Sequence, residues 1–109
     1  MNIAGPFEVR FSDPALEDIN RLFDFLLERA QTADDLDFAQ RAIEEIKATC
    51  LGSLSKTPFS YRKSGESTLR RDLIISLGST GYVAQYEIEP ALLRVIVLAV
   101  RHQREEDYL

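Results

Sequence analysis

The hydrophobic period of this chain changes once, and that change restricts the fold more than any other feature of the sequence. From Asp13 to Gly52 apolar residues return every three or four positions, whereas from Leu69 to Val100 they fall at every second position or run continuously. A period near 3.6 lines one face of a helix and a period of 2 lines one face of a strand, so helices come first and a sheet follows. Helices and strands in separate runs predict an α+β fold.

Ahead of the helical region, Phe7-Glu8-Val9-Arg10-Phe11 alternates apolar and polar residues and reads as a short half-buried strand. Ser12-Asp13-Pro14 stops it, with Asp13 offering a side-chain oxygen to the orphan amides of the next turn and Pro14 suited to a first helical position. Leu16, Ile19, Phe23, Leu26, Leu27 and Ala30 mark the buried face of a helix that reaches about Gln31. Thr32-Ala33-Asp34-Asp35 then connects and caps a second helix carrying Leu36, Ala39, Ile43, Ile46 and Cys50, which Gly52 is expected to close. Two helices joined so tightly form an antiparallel hairpin.

In the second half, Leu69, Arg71, Leu73, Ile75 and Leu77 alternate with Arg70, Asp72, Ile74 and Ser76, and Gly78-Ser79-Thr80-Gly81 reads as a hairpin connection. Tyr82 to Ile88 is aromatic and β-branched, Glu89-Pro90-Ala91 turns the chain, and Leu93 to Val100 completes a three-strand meander. The expected order is βααβββ: an N-terminal strand, then an antiparallel helix hairpin packed on a mainly antiparallel sheet. Val95 to Val100 is apolar throughout, which predicts the central strand. Residues Gly52 to Glu66 read as a long loop with a basic, aromatic centre and therefore as a contact surface.

Length sets the scale: 109 residues suffice for one domain, 1–109, with a modest core. The apolar run Val95–Val100 falls far short of the roughly 20 residues that span a bilayer, and no secretory signal is expected at the N-terminus. One cysteine, Cys50, cannot form an internal disulfide, which fits a cytoplasmic protein. The 13 Lys+Arg against 18 Asp+Glu give a net charge of -5. The charge is unevenly spread, at -6 over Asp13–Cys50 and +4 over Leu54–Arg104. Direct nucleic-acid binding is not expected of the whole, although a local basic face can still hold an acidic partner.

Chemistry-bearing residues are few. His102 is the only histidine, with Tyr108 and Arg104 as possible partners in proton transfer, but a strand-end histidine bonded to backbone is the more ordinary reading. Arg70, Arg71, Arg101 and Arg104 suit carboxylate or phosphate recognition. Alternation sends Arg70 and Arg71 to opposite faces, leaving Arg70 as the contact candidate and Arg71 against the core or an edge. Asp34, Asp35 and Asp37 lack the ligand spacing of a calcium loop, and neither a nucleophile elbow nor a dinucleotide fingerprint is present, so neither metal nor cofactor is expected.

Phe11-Ser12-Asp13-Pro14-Ala15, the Leu54–Pro58 loop, Leu69-Arg70-Arg71-Asp72-Leu73, Tyr82-Val83-Ala84-Gln85-Tyr86 and the stretch Val95–Arg104 ending in His102-Gln103-Arg104 together resemble the RelE/ParE superfamily of toxins. The resemblance covers nearly the whole chain and implies the toxin of a type II toxin–antitoxin pair, held inactive by a cognate antitoxin. RelE-like members cleave messenger RNA on the ribosome, and ParE-like members inhibit DNA gyrase. Aligned on Gly81-Tyr82, the positions where the RelE branch carries two lysines and two arginines fall at Ile74, Ser76, Val83 and Gln103, with Tyr108 alone kept. A tyrosine without those cations lacks the groups that stabilise the charge developing on a transferring phosphate, which disfavours ribonuclease activity, although Arg101, His102 and Arg104 could compensate. The resemblance thus implies a ParE-like gyrase inhibitor, the alternatives being a RelE-like ribonuclease using Tyr108, His102 and Arg104, or a non-toxic binding member. Target contacts are expected at Arg62, Lys63, Arg70, Arg101, His102 and Arg104, and antitoxin contacts at Leu22, Phe25 and Leu26, with Leu22 and Phe25 off the main buried stripe.

Overall fold

The structure, a computed structural model, describes residues 6–78 and 80–103. Strand β1 (Glu8–Phe11) leads into helix α1 (Asp13–Arg29) and helix α2 (Ala33–Lys56), followed by β2 (Arg62–Lys63), β3 (Arg70–Leu77), β4 (Thr80–Glu89) and β5 (Arg94–His102). The sheet runs β1-β5-β4-β3-β2, antiparallel except where β1 lies parallel to β5. This is the expected α+β architecture with one strand more, the two-residue β2. The central strand is β4, and β5 is the interior strand between it and β1.

Local chemistry explains where the helices begin and end. Ser12, rather than Asp13, caps α1: its hydroxyl accepts from the Ala15 N–H at 3.2 Å, and Asp13 becomes the acid of the first turn. Thr32 caps α2 by accepting from the Asp35 N–H at 3.1 Å, while Asp35 Oδ2 accepts from the Gln31 N–H at 3.0 Å. Gly52 does not close α2, which continues to Lys56. The buried stripe Ala39, Ala42, Ile46, Cys50 keeps its period one turn further, to fully buried Leu54. Burying a leucine is worth roughly 1.5–3 kcal/mol, more than the roughly 1 kcal/mol a mid-helix glycine costs.

On α1 the stripe that meets the sheet is Ala15, Ile19 and Leu22. Leu22 is therefore core, not off the stripe, whereas Leu16 and Leu27 are exposed. Leu36 of α2 is exposed as well. Beneath the helices, Tyr82, Tyr86 and Ile88 of β4 and Val95, Val97 and Val100 of β5 complete a closely packed core. Cys50 is sealed inside it, and burial pushes its thiol up to about 12, so it stays protonated and inert.

The segment expected as a long loop is tied down instead. After α2 a short 3-10 helix (Pro58–Ser60) leads into β2, which pairs with β3. The Tyr86 hydroxyl donates to the Pro58 carbonyl at 2.6 Å, and the Arg71 guanidinium donates to the carbonyls of Phe59, Tyr61 and Thr68 at 2.8–3.0 Å. Arg71 thus works inside the fold, satisfying backbone acceptors that would otherwise lack partners.

One irregularity in the sheet decides which side chains meet. Gln85 pairs with Ala99 but Tyr86 pairs with Val97, which leaves Leu98 as an extra residue in β5. Two side chains of the α1 region hold this bulge: the Ser12 hydroxyl donates to the Leu98 carbonyl at 3.3 Å, and Asp18 Oδ2 accepts from the Val100 N–H at 3.0 Å. Because the bulge shifts the alternation by one, Val95 and Val97 are followed on the helix-facing side by Val100 and His102. Arg101 goes to the opposite, open face of the sheet.

Candidate functional site

A surface cleft lies where α1 overhangs the end of the sheet. It is a cleft of about 570 Å³, a volume within the range of binding pockets. One wall is a single face of α1, with Arg21, Leu22, Phe25, Leu26 and Arg29 at three- and four-residue spacing. The closed end is built by Tyr82 and His102, cross-strand partners brought together by the bulge. Their rings meet edge to face, with centroids 5.4 Å apart. Burial raises the Tyr82 phenol above its ordinary pKa, so it remains neutral.

Two guanidiniums frame this apolar floor. Arg21 pairs with Asp18 at 3.0 Å, and Arg29 lies over the Phe25 ring with its guanidinium carbon 4.3 Å from the centroid. An apolar wall carrying guanidiniums suits a surface that sets carboxylates beside aliphatic or aromatic side chains. Among the described residues no cluster of His, Cys, Asp and Glu could hold a metal ion.

The residues expected from the sequence separate into two places. Leu22, Phe25 and Leu26 come together in the cleft, with Leu22 buried at its base and Phe25 exposed. His102 joins them there rather than Arg101. Arg62, Arg70 and Arg101 occupy the open face of the sheet, while Lys63, opposite Arg71, belongs to the other side of the edge strand. Arg104 and Tyr108 lie outside the described residues. Sequence reasoning passed over Arg21, Arg29 and Tyr82 as cleft residues. The spacing of Arg21, Phe25 and Arg29 carried the signal, since positions four apart share a helical face.

The open face is nearly self-neutralising. Arg62 meets Asp72 at 3.4 Å, Arg70 meets Glu87 at 2.9 Å, Arg94 meets Glu89 at 2.6 Å and Arg10 meets Glu8 at 3.1 Å. Strand pairing also gathers the four positions at which a RelE-like site would carry its cations. Ile74 is opposite Val83, Ser76 is opposite Gly81, and the Gln103 side chain lies where a Cβ on Gly81 would stand. Ile, Val, Ser and Gln put no positive charge there.

Comparison with known proteins agrees with this architecture. A family model described as the ParE toxin of type II toxin–antitoxin systems matches residues 9–107. Toxin RelE3 of Caulobacter vibrioides is 32% identical over 97 residues, covering 89% of this chain and 95% of that protein. The chromosomal ParDE toxin–antitoxin system of P. aeruginosa contains a chain that superposes with a TM-score of 0.69 at 12% identity, over 91% of this chain and 98% of that one. The RelBE2 toxin–antitoxin complex of Mycobacterium tuberculosis gives 0.61 at 19% identity, over 90% and 92%. At these identities the two structures speak to the fold.

Proposed function

The chain belongs to the ParE toxin family of type II toxin–antitoxin systems, and from that premise we propose that it acts on DNA gyrase in the manner of ParE and is neutralised by a cognate antitoxin docked in the α1 cleft. The observation that carries the gyrase reading is the patch formed by Ile74, Ser76, Val83 and Gln103. These residues meet on the open face and bring no cation of their own to it, Arg101 opposite Val83 being the guanidinium that stands beside them, which supports inhibition by binding over phosphoryl transfer. The nearby ion pairs of Arg62 with Asp72 and Arg70 with Glu87 give the same support, because each of those arginines already has its carboxylate.

On this reading the open face, with Arg62, Arg70 and Arg101, meets gyrase, and the cleft, with Leu22, Phe25 and Leu26, meets the antitoxin. His102 belongs to the cleft. The likeness to a protein named Toxin RelE3 favours ribosome-dependent message cleavage as the second reading, and one experiment separates the two. Expression without antitoxin in the native host is expected to produce filamentation and a DNA-damage response while messages stay intact. Translation arrest with cleaved messages contradicts the gyrase reading, and normal growth from folded protein points to a non-toxic binding member.

A further inference from the structure

The cleft does not end at Phe25. A second, smaller concavity under the tip of the helix hairpin, about 150 Å³ in volume, shares Leu26 and Arg29 with it and is completed by Ala30, Asp35 and Phe38. Together they form one trough along the underside of α1. From Arg21 to Ala30 the helix rises about 14 Å, the length of about two and a half helical turns. Charge along the trough is ordered: Arg21 near the sheet, Arg29 at the junction and Asp35 at the tip. Phe25 and Phe38 are both exposed at 40% or more, so the apolar floor is not closed by the chain's own described residues.

We propose that this trough reads a polarised amphipathic helix of the antitoxin, one whose apolar stripe is flanked by a carboxylate facing Arg29 and by a basic group facing Asp35, with Arg29 as the specificity-determining residue. The inference rests on the antitoxin reading above. A helix fits where a strand does not, because at the closed end β4 is paired with both β3 and β5, and the outer edge of β5 beyond its last pairing with β1 at Val97 is already engaged by Ser12 and Asp18, which bond the Leu98 carbonyl and the Val100 N–H. A second copy of the chain is disfavoured, since a two-fold contact through this surface brings the same arginines face to face.

The acidity of the hairpin as a whole does not reverse the argument. Asp34, Asp37 and Glu44 line a different depression, together with Arg41. Charges more than about 8 Å apart are largely screened at physiological salt, and Asp18 already pairs with Arg21 at 3.0 Å, so Arg29 decides. Arg29 is placed to select because it touches both concavities. Its guanidinium carbon lies over the Phe25 ring, 4.3 Å from the centroid, and a guanidinium packed on an aromatic ring still has N–H groups to offer a carboxylate.

The test uses two synthetic helical peptides about 16 residues long that share leucines at i, i+3 and i+7 and differ only in flanking glutamates or lysines, titrated against the full chain by fluorescence anisotropy. The glutamate peptide is expected to bind about tenfold more tightly, a difference of about 1.4 kcal/mol. Arg29→Glu should reverse the preference and Arg41→Glu should leave it intact. Equal binding of the two peptides, a lysine preference, or a preference unmoved by Arg29→Glu overturns the charge rule. Phe25→Asp, a change at an exposed position that folding tolerates, separates this failure from that of the antitoxin reading. If Phe25→Asp abolishes rescue by antitoxin in cells while the peptides show no charge preference, only the charge rule falls. If it changes neither peptide binding nor rescue, the cleft is not the antitoxin site and both fall.

Discussion

Leu54→Ala is expected to lower folding stability by about 3 kcal/mol, within the roughly 2–5 kcal/mol typical of a buried leucine truncated to alanine. Leu54 is completely buried two residues beyond Gly52 and one turn beyond Cys50, and its loss opens a cavity where α2 meets the sheet and the start of β1. Whole domains are stable by only about 5–15 kcal/mol, so the urea midpoint should fall markedly. Gly52→Ala should move it the other way, by about 0.5–1 kcal/mol, because a Cβ at Gly52 meets nothing within 4 Å and the helix no longer carries glycine's entropic cost. A neutral Leu54→Ala together with a destabilising Gly52→Ala would mean that the helix ends at Gly52 after all.

Asp18→Ala should cost about 2–3 kcal/mol, the range for a hydrogen bond to a charged group whose partner is left unmatched. Asp18 is only 16% exposed and accepts the Val100 N–H while also pairing with Arg21. Its larger effect is expected on the cleft. Without this acceptor the bulge at Leu98 is held by Ser12 alone, and the phase that turns His102 toward Tyr82 is no longer fixed. The edge-to-face contact with Tyr82 is expected to displace the His102 ring protons in the native NMR spectrum, and in Asp18→Ala they should move toward random-coil positions. Asp18→Asn keeps an acceptor oxygen and should lose less than half as much stability. A Asp18→Ala variant with native stability and unchanged His102 resonances contradicts the account of the bulge.

Local pattern made most of the fold legible. The alternation of Leu73 and Ile75 with Ile74 and Ser76 put the right faces of β3 inward, and the spacing of Ile19, Ile46 and Cys50 located both helices. What the sequence hid depends on contacts between distant residues. Ser12 outcompetes Asp13 as a cap while its hydroxyl also reaches the Leu98 carbonyl, 86 positions later. Gly52 is tolerated because Leu54 finds a core, and the segment after Lys56 is ordered because Arg71 and Tyr86 supply donors to its carbonyls.

The same division runs through the candidate site. Leu22, Phe25 and Leu26 were identifiable from helical spacing, and Arg21 and Arg29 were equally visible in the one-face pattern. The approach of His102 to them was not, because unbroken alternation from Val95 and Val97 points Arg101, not His102, toward the helices. The extra residue at Leu98 reverses that assignment, and Asp18 holds it there. The expected basic surface divides for the same reason, with Arg101 and Arg70 on the open face and His102 in the cleft.

With Ile74, Ser76, Val83 and Gln103 at the positions where a RelE-like site carries its cations, the expectation is action by binding gyrase. Its most direct test is gyrase-catalysed supercoiling of relaxed plasmid, with gyrase from the native host and increasing amounts of the purified chain, read together with the accumulation of cleaved DNA. The account predicts dose-dependent loss of supercoiling, accompanied by cleaved plasmid. Folded protein that leaves supercoiling untouched while cutting messages on ribosomes would contradict it.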